Sequence, residues 1–166
     1  MKKNALNQVL ILYSGFLLSV TGAWAHGEVH GKKYAQRTIS SEEHTFGREG
    51  DPKKHTRTVN VNMSDQMRFT PNEITVKRGD TVRFNVRNSG EVMHEMVIGT
   101  LHELKQHAEL MKKFPDMEHD EPYMAHVKPS TTERLVWQFT RPGEFYYGCL
   151  VPGHFEAGMV GKIIVK

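Results

Sequence analysis

From Thr58 onward, apolar and polar residues alternate in short runs. Val59 and Val61 alternate with Asn60 and Asn62, and Ile74 and Val76 follow Pro71 at the same spacing. Val82, Phe84 and Val86 alternate with Arg83, Asn85 and Arg87, and the Arg78-Gly79-Asp80 stretch makes the turn between these two runs. Met96 and Ile98 share the parity of His94. Leu135, Trp137 and Phe139 alternate next, "RPGE" at 141–144 makes a turn, and Phe145, Tyr147 and Cys149 then face one way. The last run, "MVGKIIVK", points Ile163 and Val165 inward. A period of two in brief runs separated by turn residues predicts half-buried strands, and many of them in succession predict an all-β sandwich or barrel.

One segment breaks that period. In "LHELKQHAELMKKF", residues 101–114, Leu101, Leu104, Ala108 and Met111 recur at helical spacing and Pro115 marks the stop. Met111 and His107, one turn apart, are read as packing the helix on the sheet. The polar "PDMEHDEPYMAHVKP" that follows reads as a loop. The insertion, about 100–130, is longer than an ordinary connection and is a candidate flap.

The N-terminal third has a different character. Lys2 and Lys3 precede an apolar run from Val9 to Val20, and Ala23-Trp24-Ala25 fits a secretory cleavage pattern. The run is short for a membrane span. Residues 1–25 are therefore read as a signal peptide, the mature chain as starting at His26, and its location as the periplasm, with no stable span in the mature chain. Residues 26–57 are polar, with few apolar side chains to bury, and read as a flexible His-containing arm. The folded domain is then 58–166.

The formal net charge of +3 falls toward neutrality once Lys2 and Lys3 are removed, and no basic stripe interleaved with aromatics points to nucleic acid. Cys149 is the sole cysteine, so no internal disulfide exists, and an exported thiol calls for a protected role.

That thiol begins the spacing Cys149-x4-His154-x4-Met159, with Pro152-Gly153 supplying the bend. A thiolate, an imidazole and a weak thioether directed at one point are three of the four ligands of a mononuclear blue-copper centre, whose second imidazole comes from elsewhere. His94, where a loop enters an inward-facing strand, is the candidate. A cysteine hydrolase would need an activating base with its own orienting group, or a helix opening after the nucleophile, and no helix opens after Cys149. A binuclear copper centre would need a second Cys in the loop. Multicopper oxidases and nitrite reductases need further domains.

In "GEFYYGCLVPGHFEAGMVGKIIVK" at 143–166, "FTPNEITVKRGDTVRF" at 69–84 and "HEMVI" at 94–98, the chain resembles the cupredoxins, the plastocyanin- and azurin-like proteins. The resemblance implies a Greek-key β-sandwich with the inserted helix-loop flap, and one copper ion cycling between Cu(I) and Cu(II). His94 and His154 would be its imidazole ligands, Cys149 the thiolate and Met159 the axial ligand. Glu95 departs from the pattern, because plastocyanin and azurin carry Asn after the first His and use it to tie the ligand loops together.

Small exported cupredoxins with added His and Met residues resemble this chain and are associated with copper tolerance. The expected role is therefore non-enzymatic periplasmic copper handling. The alternative is a soluble electron carrier docking a redox partner near His154, on an apolar patch of Val151, Pro152 and Phe155. Weaker auxiliary copper is expected at His26 and His30 of the arm, or at the repeated Met117-x-His119 and Met124-x-His126 units of the insertion.

Overall fold

The computed structural model describes residues 38–115, 117 and 119–166; the expected signal peptide and the part of the expected arm up to residue 37 lie outside these described residues. In chain order the elements are β1 (Glu43–His44), β2 (Gly47–Glu49), β3 (Arg57–Ser64), β4 (Arg68–Thr70), β5 (Glu73–Val76), β6 (Thr81–Asn88) and β7 (His94–Gly99). There follow α1 (Leu101–Lys113), β8 (Met124–Val127), β9 (Thr132–Gln138), β10 (Gly143–Gly148) and β11 (Val160–Val165). The strands form a six-stranded sheet, β1-β2-β9-β6-β3-β4, facing a five-stranded sheet, β5-β11-β10-β7-β8. Two neighbouring pairs, β3 with β6 and β5 with β11, are parallel.

The turns expected at 78–80 and 141–144 lie in the connections 77–80 and 139–142, which are corners. Each carries the chain from one sheet to the other, since β5 and β6 lie in different sheets, as do β9 and β10. The strands on either side of each corner therefore lie in facing sheets instead of pairing, which is the Greek-key solution for two packed layers. The core between them holds Val61, Val82, Phe84, Val86, Met96, Trp137, Tyr147 and Ile163, each no more than 1% exposed.

Strand β7 is buried at every residue because both of its faces are covered. Met96 and Ile98 face the sandwich core, while Val97 joins Leu104, Ala108, Met111, Met124 and Leu150 in a second cluster beneath α1. A strand covered on both faces loses the polar alternation, which explains the apolar run "MVI". The helix starts on a capping box in which Thr100 Oγ1 accepts from Glu103 N–H at 3.2 Å and Glu103 Oε2 accepts from Thr100 N–H at 2.8 Å. As expected from its spacing, α1 packs through Leu104, Ala108 and Met111.

Two expectations are corrected. The segment 26–57 is not an arm throughout: residues 43–49 form β1 and β2, and β2 extends the large sheet alongside β9. The anchor is aromatic. Phe46, 4% exposed, stacks on Trp137 with ring centroids 5.3 Å apart, and Trp137 Nε1 donates to the Phe46 carbonyl at 2.8 Å. One buried ring with its backbone carbonyl satisfied outweighs the polar composition around it. The 115–129 stretch is likewise not all loop, since Met124–Val127 pairs with β7 as an edge strand.

Replacing Phe46 by Ala is expected to cost about 3 kcal/mol, typical of a buried Phe truncation. Hydrogen exchange would then show faster exchange at 43–49 while the 149–159 loop stays protected. An arm without a structural role would leave stability unchanged.

Candidate metal centre

The four residues singled out in the sequence lie at one end of the small sheet. His94 opens β7, Cys149 follows the last residue of the neighbouring β10, His154 lies in the connecting loop, and Met159 directly precedes β11. The loop closes on itself: Cys149 N–H donates to the Met159 carbonyl and Met159 N–H to the His154 carbonyl, both at 3.1 Å. Gly153, at φ +88°, supplies the left-handed bend that a side chain would resist, with Pro152 before it.

Three donor atoms converge. His94 Nδ1 lies 3.2 Å from His154 Nδ1, and Cys149 Sγ lies 3.3 Å from His154 Nδ1 and 3.9 Å from His94 Nδ1. Ligand atoms of these three residues all fall within 4.8 Å of one another. His94 and Cys149 are fully buried, and His154 is the most exposed of the three. Met159 is fully buried at the foot of the same loop.

The donor set suits a soft or borderline ion. Two imidazoles and a thiol, with no carboxylate among the three convergent ligand atoms and a buried thioether at the end of the same loop, fit copper far better than magnesium or calcium. Burial is the main cause that pushes the Cys149 thiol up to about 12, so without a cation it keeps its proton at neutral pH. Burial first, and then His94, hold the His154 imidazole below its ordinary value, so it presents a lone pair. A bound cation displaces the thiol proton, which makes metal uptake more favourable as pH rises.

Several residues that set this geometry were not evident in the sequence. Asp65, in the turn between β3 and β4, accepts from His94 Nε2–H at 2.9 Å, which leaves Nδ1 as the free donor. Its carboxyl is held below the usual range by the Glu91 backbone N–H and then by His94. Gly90 makes room for this contact, because a Cβ there would lie 1.9 Å from Asp65 Oδ1. The buried Asn88 side chain pins the same loop, donating to the Val92 and Val127 carbonyls at 2.8 and 2.9 Å and accepting from Gly90 N–H at 2.8 Å.

Glu95 is the departure that matters most. It is 4% exposed, its Oε1 accepts from Leu150 N–H at 2.9 Å, and its Oε2 lies 3.0 Å from His126 Nδ1 on β8. The carboxylate thus joins the residue after His94 to the residue after Cys149, and an ion pair on its other oxygen offsets the burial of its charge. The Glu95 N–H points at Cys149 Sγ from 3.5 Å.

With this geometry established, comparison with known proteins is decisive. The model for copper binding proteins of the plastocyanin/azurin family matches residues 56–166. The chain belongs to the plastocyanin/azurin family. Among cupredoxins of known structure it is similar to auracyanin B, with a TM-score of 0.60 at 20% identity over 72% of this chain and 96% of that one. It is also similar to reduced auracyanin from Roseiflexus castenholzii, with a TM-score of 0.58 at 18% identity over 68% and 98% of the two chains. These likenesses establish the cupredoxin sandwich. Among curated sequences it is 44% identical to the copper-resistant cuproprotein CopI of Rubrivivax gelatinosus, over 99% of both chains. It is 33% identical to CopI of Vibrio cholerae, over 92% of this chain and 96% of that one.

The remaining metal-binding expectations fare unevenly. His26 and His30 lie outside the described residues. The two Met-x-His units are not equivalent: Met124 is 6% exposed in the cluster beneath α1 and His126 is paired with Glu95, whereas Met117 is exposed. Val151 and Phe155 are partly buried against the two core clusters, so the expected apolar patch around His154 is smaller than the sequence suggests. Val92 and Met93, 45% and 41% exposed and directly preceding His94, were not anticipated there.

Gly90→Ala should displace Asp65 and free the His94 ring. Copper affinity in a chelator competition is expected to fall about 10–100-fold, as it does when an outer-shell partner of a metal-binding His is lost, and Asp65→Ala should fall equally. Unchanged affinity in both would mean that Asp65 does not orient His94.

Proposed function

We propose that this chain is an exported copper protein that holds one redox-active copper ion and serves in copper handling and tolerance. His94, Cys149 and His154 are its main ligands and Met159 its weak axial ligand. The observation that carries this reading is the convergence of two imidazole Nδ1 atoms and one thiol in a buried cluster, all within 4.8 Å. Similarity along nearly the whole chain to copper-resistant cuproproteins supports the physiological half of the proposal.

Copper bound there supplies one-electron exchange between Cu(I) and Cu(II). The chain's own residues determine how readily that happens. Asp65 fixes the His94 ring, Glu95 holds the two ligand segments together, and the closed 149–159 loop keeps Met159 in place. A cluster held from outside by hydrogen bonds has little freedom to rearrange, which favours rapid exchange without bond making. His154, as the most exposed ligand, is the point where electrons would enter or leave.

The leader at 1–25, cleavage before His26 and a periplasmic location form part of this proposal. So does the absence of an enzymatic substrate. Among the described residues no helix is long and apolar enough to cross a membrane. Auxiliary copper on the arm, at His26 and His30, would add capacity for a handling role.

A second reading, an electron carrier between redox proteins, is favoured by one observation. Val92 and Met93 are exposed beside His94, and Pro152 is exposed beside His154. Apolar side chains around a half-buried ligand suit brief docking of a redox partner.

A strain lacking the gene separates the two. The proposal expects normal growth without added copper, loss of tolerance with it, and rescue by the wild-type chain but not by Cys149→Ser. Rescue by Cys149→Ser would refute the ligand assignment. Impaired respiration with normal tolerance would transfer the role to electron transport.

A further inference from the structure

Strands β3 and β4 form a tight hairpin over "SDQMRFT", residues 64–70. Ser64 stands opposite Arg68, and Met67 N–H donates to the Ser64 carbonyl at 3.0 Å, so the loop is the three residues 65–67. A loop of that length ends on a residue in the left-handed region, usually glycine, and Met67 takes that place at φ +57°. Its side chain packs against the main core. Phe69, 3% exposed, meets the Tyr147 ring edge-on with centroids 5.0 Å apart. Arg68 thus stands between two anchored neighbours.

The hairpin tip reaches the metal centre twice. Asp65 Oδ1 accepts from His94 Nε2–H at 2.9 Å, and Asp65 Oδ2 accepts from Glu91 N–H at 2.7 Å. Arg68 Nη1 donates to the Ala157 carbonyl at 3.0 Å and to the Met67 carbonyl at 2.7 Å. Asp65 acts on the first imidazole, whereas Arg68 acts on the ligand loop.

The point of attachment lies close to Met159. From Gly153 the loop closes as a single turn, with Ala157 N–H donating to Gly153, Gly158 N–H to Phe155 and Met159 N–H to His154. A turn of this kind leaves its last carbonyls without a partner inside it. Gly158, at φ +89°, then swings the chain toward β11. Arg68 takes the Ala157 carbonyl, and a Cβ on Gly158 would lie 3.4 Å from its Nη1. The guanidinium therefore rests against the 157–158 peptide, just before Met159. Its planar fork loses little freedom in making such bonds. The link also crosses layers, from β4 at the edge of the large sheet to the residues entering β11 in the small one.

We propose that Arg68 is a positioning residue for Met159: it anchors the preceding peptide and thereby holds the thioether against the copper. This role rests on the assignment of Met159 as the axial ligand. Without the anchor the loop relaxes outward and the axial contact lengthens. A thioether donates electron density and favours Cu(II), so a longer contact raises the reduction potential. The charge of Arg68 works in the opposite direction, since loss of a nearby cation favours Cu(II) and lowers the potential. The sign of the shift separates the two effects.

The test loads the full chain with one equivalent of copper and compares wild type, Arg68→Met, Arg68→Lys and Met159→Leu. Visible absorption, electron paramagnetic resonance and the reduction potential are measured on each. Met159→Leu should change the intensity ratio of the thiolate-to-copper bands and raise the potential. Arg68→Met is expected to shift both in the same direction by a smaller amount, with Arg68→Lys between it and wild type. In the metal-free protein, hydrogen exchange at the Met159 amide should quicken in Arg68→Met and stay unchanged at 43–49. If Arg68→Met loses the thiolate band altogether, Arg68→Lys carries the same comparison. A lowered potential with an unchanged band ratio would reduce Arg68 to a source of charge and overturn the proposal. Wild-type bands, potential and exchange in Arg68→Met, beside a shifted Met159→Leu, would overturn it while leaving the axial ligand in place. An unshifted Met159→Leu would instead remove Met159 from the ligand set, and the role of Arg68 with it.

Discussion

The hydrogen bond from Leu150 N–H to the buried Glu95 carboxylate ties together the two strand ends that form the candidate metal centre. Residues 94 and 149 are far apart in sequence and lie at the ends of neighbouring strands, so the two proposed ligands they carry share one space only if the strand ends are held in register. Backbone pairing between β7 and β10 covers Val97 to Gly99 and leaves the ends at His94 and Cys149 to other contacts. Glu95 makes one of those contacts. A carboxylate in that place has consequences: its charge is buried, so it needs a cation, and β8 supplies His126 directly across the ladder. Breaking such a pair from one side leaves an uncompensated buried charge, which makes Glu95, His126 and the flap that covers them one unit.

The rest of the fold serves the same end of the sandwich. Corner turns that switch sheets place β7, β10 and β11 side by side, and the flap helix seals the outer face of β7 and β10 with an apolar cluster that includes Leu150. Asp65 reaches the centre from the large sheet, so His94 is gripped from both layers. Each grip acts on one side of a ligand and leaves the other side for metal. A site supported in this way exists before the ion arrives, and the free energy of binding need not be spent on assembling it.

Much of this was legible in the sequence, for local reasons. Three of the proposed ligands sit in one eleven-residue stretch, 149–159, whose spacing pointed to them, and His94, which shares the parity of Met96 and Ile98, was picked out by that position together with the resemblance to cupredoxins. The helix was legible because its apolar residues and its stop agree. Asp65 and Gly90 were not, since a turn acid and a turn glycine look ordinary until the fold brings them to His94. Strands β1 and β2 were hidden because their stability comes from Phe46 on Trp137, a contact across more than half the chain. The significance of Glu95 required the position of His126, which no local pattern reveals.

The central claim is that two imidazoles and one thiolate, prepositioned by the fold, hold a single copper ion. X-ray absorption at the copper edge, on protein loaded with one equivalent and measured both oxidised and reduced, tests it most directly. The account predicts one short copper–sulfur shell and two imidazole nitrogens in both states, with little change between them. A shell of nitrogen and oxygen alone, with Cys149 free to react with a thiol reagent, would contradict it.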